Sequence, residues 1–241
     1  MKSRLLILIF IFVVPFGVTS AQTLRIVGKK VTYTRVNPRF DFKRTFTINY
    51  PKVKSVNRSV SRRIENILSY ESVLGLKLED ELDKNQWLQK ADYRIQYNNY
   101  GILCIELWIE GLGAYSSAES KIVSVNSRLG RQLRPSDVFT NTFTLAPIVR
   151  RAQLKEKRSA LDYINRQEPD ADEPELLFGD RQFEVSDLAG FEVRPRGLIF
   201  HYKYNFPHSA ILYEPAGEYF YTWKQLKRFI KKEGLLGQFI R

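Results

Sequence analysis

Between Tyr93 and Asn126 apolar and polar residues alternate along three successive segments, and few folds accommodate that pattern. Tyr93, Ile95 and Tyr97 alternate with polar neighbours, and Asn98-Asn99-Tyr100-Gly101 carries turn chemistry. Leu103, Ile105, Leu107 and Ile109 then alternate with Cys104, Glu106, Trp108 and Glu110. After Gly111 and Gly113 a third segment runs through Lys121–Asn126 to the turn at Arg128-Leu129-Gly130-Arg131. Side chains on a strand point to opposite faces in turn, so these are half-buried strands, and their short connections make an antiparallel meander. Leu103, Ile105, Leu107 and Ile109 are its expected core face.

The rest of the chain must cover that sheet. Residues 24–36 and 41–50 read as two further strands. Val56, Val60, Ile64, Ile67 and Leu68 recur at helical spacing, with Arg58, Arg62, Arg63 and Glu65 off the stripe. A helical turn is expected at Pro135–Phe139 and a basic helix over 144–165, followed by an acidic, proline-punctuated loop over 168–175. Short strands are expected at 183–185, 191–193, 198–204 and 218–221, and a closing helix over 223–232. Strands and helices come in groups, which predicts an α+β fold, an antiparallel meander packed by amphipathic helices with a strand-rich C-terminal half. The organisation read this way is a leader over 1–21, an N-terminal α+β half over 22–139, a connector over 140–180 and a C-terminal half over 181–241.

The leader follows from the first residues. Lys2 and Arg4 precede an uncharged apolar run from Leu5 to Val18, too short to span a bilayer, which needs about 20 residues. Pro15 and Gly17 break it, and Thr19 and Ala21 are small residues suited to cleavage before Gln22. Val18 and Ser20 would serve one residue earlier, and an uncleaved anchor is the competing reading. Export is the expectation, with an extracytoplasmic location, periplasmic or secreted, and no transmembrane segment after cleavage. Cys104 is the only cysteine, so no internal disulfide can form and stability must come from burial. Its place in an apolar run predicts a packed thiol rather than a reactive one. The formal charge is +12, and losing Lys2 and Arg4 leaves +10. Export removes nucleic acid as a partner, leaving an anionic envelope polymer, a lipid headgroup or an extracellular protein; a basic surface with no partner explains the charge equally well.

Chemistry is sparse. His201 is expected opposite Leu198, Phe200 and Tyr202, and His208 sits in a Pro207-His208-Ser209 loop. His208 and Ser209 cannot form a catalytic pair, because neighbours on an extended segment point apart. Asp170, Asp172, Glu173 and Glu175 lack the alternation and the glycine of a calcium loop, so no metal and no cofactor is expected. Glu106 and Glu110 share a strand face, but four residues place their Cα atoms about 13 Å apart, beyond the usual separation of a glycosidase pair. No phosphate loop or dinucleotide fingerprint occurs. The expectation is a non-catalytic domain, not an enzyme, with His208, Tyr213, Lys224, Lys227, Arg228 and Lys231 as candidate ligand contacts. The alternative is an enzyme acting on envelope glycan through Glu106, Glu110 and His201.

Two stretches carry a resemblance. Ile48-Asn49-Tyr50-Pro51, Ile64-Glu65-Asn66-Ile67, the run Asn126–Leu133 and Ser136-Asp137-Val138-Phe139 form the first; Gly197–Tyr202, the loop to Gly217 and Leu226 form the second. Together they resemble the extracytoplasmic domain of RsiV-type anti-sigma factors, which also stands beside some peptidoglycan deacetylase domains. The resemblance covers roughly 40–139 and 183–230. It implies a non-catalytic α+β envelope domain, similar to a receptor that binds lysozyme. No sigma-binding segment, transmembrane helix or deacetylase domain is read along these residues, and the loop from Tyr204 to Gly217 reads as longer than the family's. A basic chain would also repel a basic lysozyme at long range, so that partner is not expected to carry over.

Overall fold

The computed structural model describes residues 23–55, 57–169 and 173–241. The expected leader, Val56 of the helical stripe and Asp170 and Asp172 of the acidic loop lie outside them. Strands β1 (Arg25–Thr34) and β2 (Thr45–Lys54) form an antiparallel hairpin. A crossover carrying α1 (Arg58–Ile67), α2 (Tyr70–Leu74) and α3 (Leu78–Leu82) then leads to β3 (Leu88–Asn99), which meets β2 in parallel at Thr47 and Ile48. The meander follows as expected, with β4 (Ile102–Leu112), β5 (Ser116–Asn126) and a two-residue β6 (Arg131–Gln132). The six strands lie in chain order across one sheet. A second, three-stranded sheet holds β7 (Phe191–Arg194), β8 (Gly197–His201) and β9 (Glu218–Thr222), so the α+β expectation stands.

The expected core face of β4 is correct. Leu103, Ile105, Leu107 and Ile109 pack with Phe46, Ile48, Val123 and Val125 against Val60 and Ile64 of α1 and Leu68 just after it. Asn57 caps that helix, its side chain accepting from the amides of Ser59 and Val60. The other face of β4 is also covered at one end. Ile102 and Cys104 enter a second core with the inner face of the small sheet and with α4 (Pro135–Val138) and α5 (Thr142–Gln167). β4 is therefore the strand on which both cores rest, and α5, read from sequence as a connector, belongs to the C-terminal core.

Four local expectations are corrected. The second strand begins at Thr45, because Asp41–Lys43 form a 3-10 turn in which the Lys43 amide bonds the Phe40 carbonyl; Phe40 and Phe42 stack on each other in solvent. Residues 183–185 form no strand: the Phe183 amide donates to the Gln153 side chain of α5, anchoring a buried ring. The strand expected over 198–204 ends at His201, where Tyr202 turns its amide to the Gly217 carbonyl. Gly217 has φ +63° and its missing Cβ would collide with the Tyr202 backbone, so this close crossing requires glycine. The closing helix is a single turn, α6 (Trp223–Leu226), held by a reciprocal cap in which the Thr222 hydroxyl accepts the Gln225 amide and the Gln225 side chain accepts the Thr222 amide. Beyond it the chain turns so that Ile230 can bridge to Phe139, burying Phe229 and Ile230 in a way a continuous helix would not.

A buried ion pair fixes the far end of the large sheet. Arg35, 1% exposed, donates to the carbonyls of Glu81, Lys43 and Leu88 at 2.7, 2.5 and 2.9 Å. Its guanidinium lies 3.5 Å from the Glu81 carboxylate and 4.4 Å from the Phe46 ring centre. The same Glu81 carboxylate accepts the amides of Trp87 and Leu88. One arginine thus ties the β1–β2 loop to the junction of α3 and β3.

Candidate functional site

The small sheet meets the large one through the edge of β7. Ser124 of β5 donates its hydroxyl to the Phe191 carbonyl at 2.9 Å, and its oxygen lies 3.4 Å from the Cys104 sulfur. Because β7 pairs only with β8, these contacts cover backbone groups that would otherwise be an unpaired edge. One face of the small sheet is buried against α5. Its other face carries Glu192, Arg194, His201 and Glu218, and it looks across a cleft of about 1190 Å³ at the polar face of β3, β4 and β5. Arg94, Gln96, Glu106, Ser120 and Ile122 line that opposite wall.

Period-two alternation places these residues. Ile105 and Leu107 point to the core, so Glu106 between them points to the cleft. Phe191 and Val193 are core, so Glu192 and Arg194 are not. The Gln96 amide donates to Glu106 at 2.9 Å. Glu192, only 1% exposed, holds His201 Nε2 at 3.0 Å and contacts Arg194 Nε with its other oxygen. His201 Nδ1 in turn lies 4.0 Å from Glu218 on β9. Both ring nitrogens therefore face carboxylates. The Nδ1 distance is too long for a hydrogen bond, and no serine or cysteine hydrogen-bonds to His201 among the described residues.

Cys104 lies beneath the cleft, fully buried. Burial pushes its thiol pKa up to about 11, against the lowering effect of the Ser124 bond, so it is a neutral packing group. Asp187 pairs with Arg181 at the mouth. The loop giving Lys203, Asn205 and Ala216 to the cleft is tied down twice. Glu156 of α5 accepts the hydroxyls of Tyr204 and Tyr219 and the Gly217 amide, and His208 stacks on Tyr115 at the β4–β5 tip with ring centres 4.7 Å apart.

Of the residues singled out from sequence, Glu106 and His201 share this cleft, and Glu110 lies in a shallow depression that adjoins it beside Trp108. The set His208, Tyr213, Lys224, Lys227, Arg228 and Lys231 does not assemble. His208 stands at the Tyr115 end of β4; Tyr213 donates to Glu168 after α5. The segment after Thr222 sits at the other end of β4, where Trp223 stacks on Phe239 and Phe239 meets Tyr100. Lys231 is spent on the Ser136 carbonyl and Arg228 lies over Phe229, while Lys224 and Lys227 stay exposed without a helical stripe to align them. Sequence reading missed Glu192, Arg194 and Glu218. The Phe-Glu-Val-Arg alternation at 191–194 marks the first two as facing away from the core; Glu218 comes beside His201 only through the β8–β9 register across a long loop.

No group of His, Cys, Asp and Glu side chains able to hold a metal occurs among the described residues. None of their helices is long and apolar enough to cross a membrane. No family model and no curated protein sequence matches the chain. Two solved structures are similar in fold. A member of the DUF3298 family from Bacteroides fragilis NCTC 9343 superposes with a TM-score of 0.55 at 14% identity, over 90% of this chain and 97% of that one. A DUF3298 family protein from Pseudomonas aeruginosa PAO1 does so with 0.54 at 13% identity, over 87% and 95%. At this identity the likeness is one of fold, and it spans both sheets.

Proposed function

We propose that this chain is an extracytoplasmic, non-catalytic binding domain of the cell envelope, and that the cleft between its two sheets is the ligand site. The observation that carries the reading is the cleft itself: about 1190 Å³, walled by both sheets, with polar groups of both signs converging in it. The leader-like N-terminus and the RsiV-type resemblance support the envelope setting. The ligand is a polar envelope or extracellular molecule with donors and acceptors to meet Arg94, Gln96, Glu106 and Lys203.

An enzyme acting on envelope glycan is the second reading, favoured by Glu106 and His201 lining one cleft. Calorimetric titration of the chain with separated glycan, lipid and peptide fractions of a bacterial envelope tests both. Ala189 is exposed at the cleft and belongs to neither core, so Ala189→Trp adds a bulky ring there to obstruct it. Binding of one fraction, lost at least tenfold in Ala189→Trp and without any covalent change to the ligand by mass spectrometry, is expected. Undiminished binding in that variant overturns the cleft as the site; turnover of the glycan overturns the non-catalytic reading.

A further inference from the structure

The strand β6 starts a ladder that it does not finish. It pairs with β5 only at Val125 and Asn126, and the Leu133 amide adds one bond to the Ser124 carbonyl at 2.8 Å. Pro135 then opens α4 and takes the chain away. On its other side β5 pairs with β4 along its whole length, from Ser116 to Asn126. In an antiparallel sheet alternate residues turn both backbone groups to the same neighbour. The outward carbonyl of Ser124 therefore assigns the outward amides and carbonyls to Ala118, Ser120 and Ile122 as well. Among the described residues these have no ladder partner. Their edge runs for about 14 Å at 3.4 Å per residue.

The edge from Ser120 to Ile122 lies inside the cleft, and Ala118 lines the depression that adjoins it. Ser120, Lys121, Ile122 and Val123 line the cleft, as does Gln132 where β6 stops. Ile67, Ser72 and Val73 from the α1–α2 side flank the slot on one hand, and Asp187, Ala189 and Gly190 flank it on the other. The flanks decide what can enter. A second copy of the chain would have to bring its own flanking helices and loops into the same slot. Lys121 on the edge further opposes pairing with a like edge. A single extended chain has no such walls.

We infer that the β5 edge takes up an extended peptide of about five residues as an added strand that prolongs β6, which names the ligand class of the cleft and rests on the reading of that cleft as the binding site. Alternate side chains of such a peptide face opposite ways. One set meets the half-buried Ile67 and Val73; the other meets the polar wall of Glu192, Arg194, His201 and Glu218. The fitting sequence alternates apolar residues with polar ones, and most of its affinity comes from main-chain bonds.

A phage-displayed library of random heptapeptides, selected on the full chain, supplies the probe, and the winning peptide is synthesised. The structure predicts that saturating peptide slows hydrogen exchange at the Ala118, Ser120 and Ile122 amides at least tenfold. N-methylating alternate peptide amides in one register weakens binding at least tenfold, and in the other register leaves it intact. Ser120→Pro removes one outward amide, a change an edge strand tolerates, and lowers affinity at least tenfold, while Ser120→Ala keeps it. Failure to select any peptide, equal effects of both N-methyl registers, or equal loss in Ser120→Ala overturns the inference, as does dimerisation by sedimentation that Ser120→Pro abolishes. Glycan or lipid binding that Ala189→Trp blocks, with β5 exchange unchanged, sinks the peptide alone and leaves the cleft standing. No fraction and no peptide sensitive to Ala189→Trp sinks both.

Discussion

Replacing Arg35 by methionine keeps the volume of the side chain and removes its charge and donors. Three carbonyls, of Glu81, Lys43 and Leu88, lose their donor, and the Glu81 carboxylate is left buried with only the amides of Trp87 and Leu88. Breaking one partner of a buried pair costs about 3–5 kcal/mol, much of it the penalty of the stranded charge. That is a large share of the 5–15 kcal/mol or so of a whole domain. Urea unfolding followed by tryptophan fluorescence reads the loss as a lowered midpoint at unchanged slope. Arg39→Met is the control: Arg39 is exposed and bonds only the Lys84 carbonyl and, through its amide, Gln86, so it should cost less than about 1 kcal/mol. Adding Glu81→Leu to Arg35→Met should recover part of the deficit, since the stranded carboxylate goes with it. A loss in Arg35→Met no larger than in Arg39→Met would refute the role of the buried pair.

Three further outcomes follow from the packing and the charges. Leu107→Ala, at a fully buried site between β4 and the helices, should cost about 2–5 kcal/mol in the same urea assay. Cys104 should resist alkylation at neutral pH until the chain unfolds. Because the folded thiol holds its proton up to about pH 11 against an ordinary 9.0, its contribution is complete below 9 and lost as pH rises through 9–11; wild type should lose stability there faster than Cys104→Ala. Isothermal titration with hen-type lysozyme at low salt should show no sub-micromolar binding, since both proteins are basic.

The meander was readable from sequence because one face of each strand is buried and the other is polar, so period two survives along Tyr93–Asn126. What the alternation concealed is that Ile102 and Cys104 are buried on the opposite face, where a second sheet arrives from distant sequence. α1 was legible from its stripe; α2 and α3, five residues each, are too short to show a period. The closing helix expected over 223–232 stops after one turn, because tertiary pairing of Ile230 with Phe139 prevailed over local propensity. The cleft was half visible. Glu106 and His201 stood out as polar residues on otherwise apolar strands, but their convergence depends on β7 docking edge-on at Ser124, which no local pattern encodes. Positive charge drew attention to Lys224–Lys231, which the fold uses for a carbonyl cap and an aromatic contact.

Chemical-shift mapping of the isotope-labelled chain, titrated with whichever envelope fraction binds in calorimetry, locates the site directly. Perturbations should cluster at Gln96, Glu106, Ser120, Ile122, His201 and Glu218, on both walls of the cleft, and should vanish in Ala189→Trp. Clustering instead at Lys224–Lys231, or in the basic groove between Lys54 of β2 and Arg58 and Arg62 of α1, would contradict the inter-sheet cleft as the place where this chain binds its ligand.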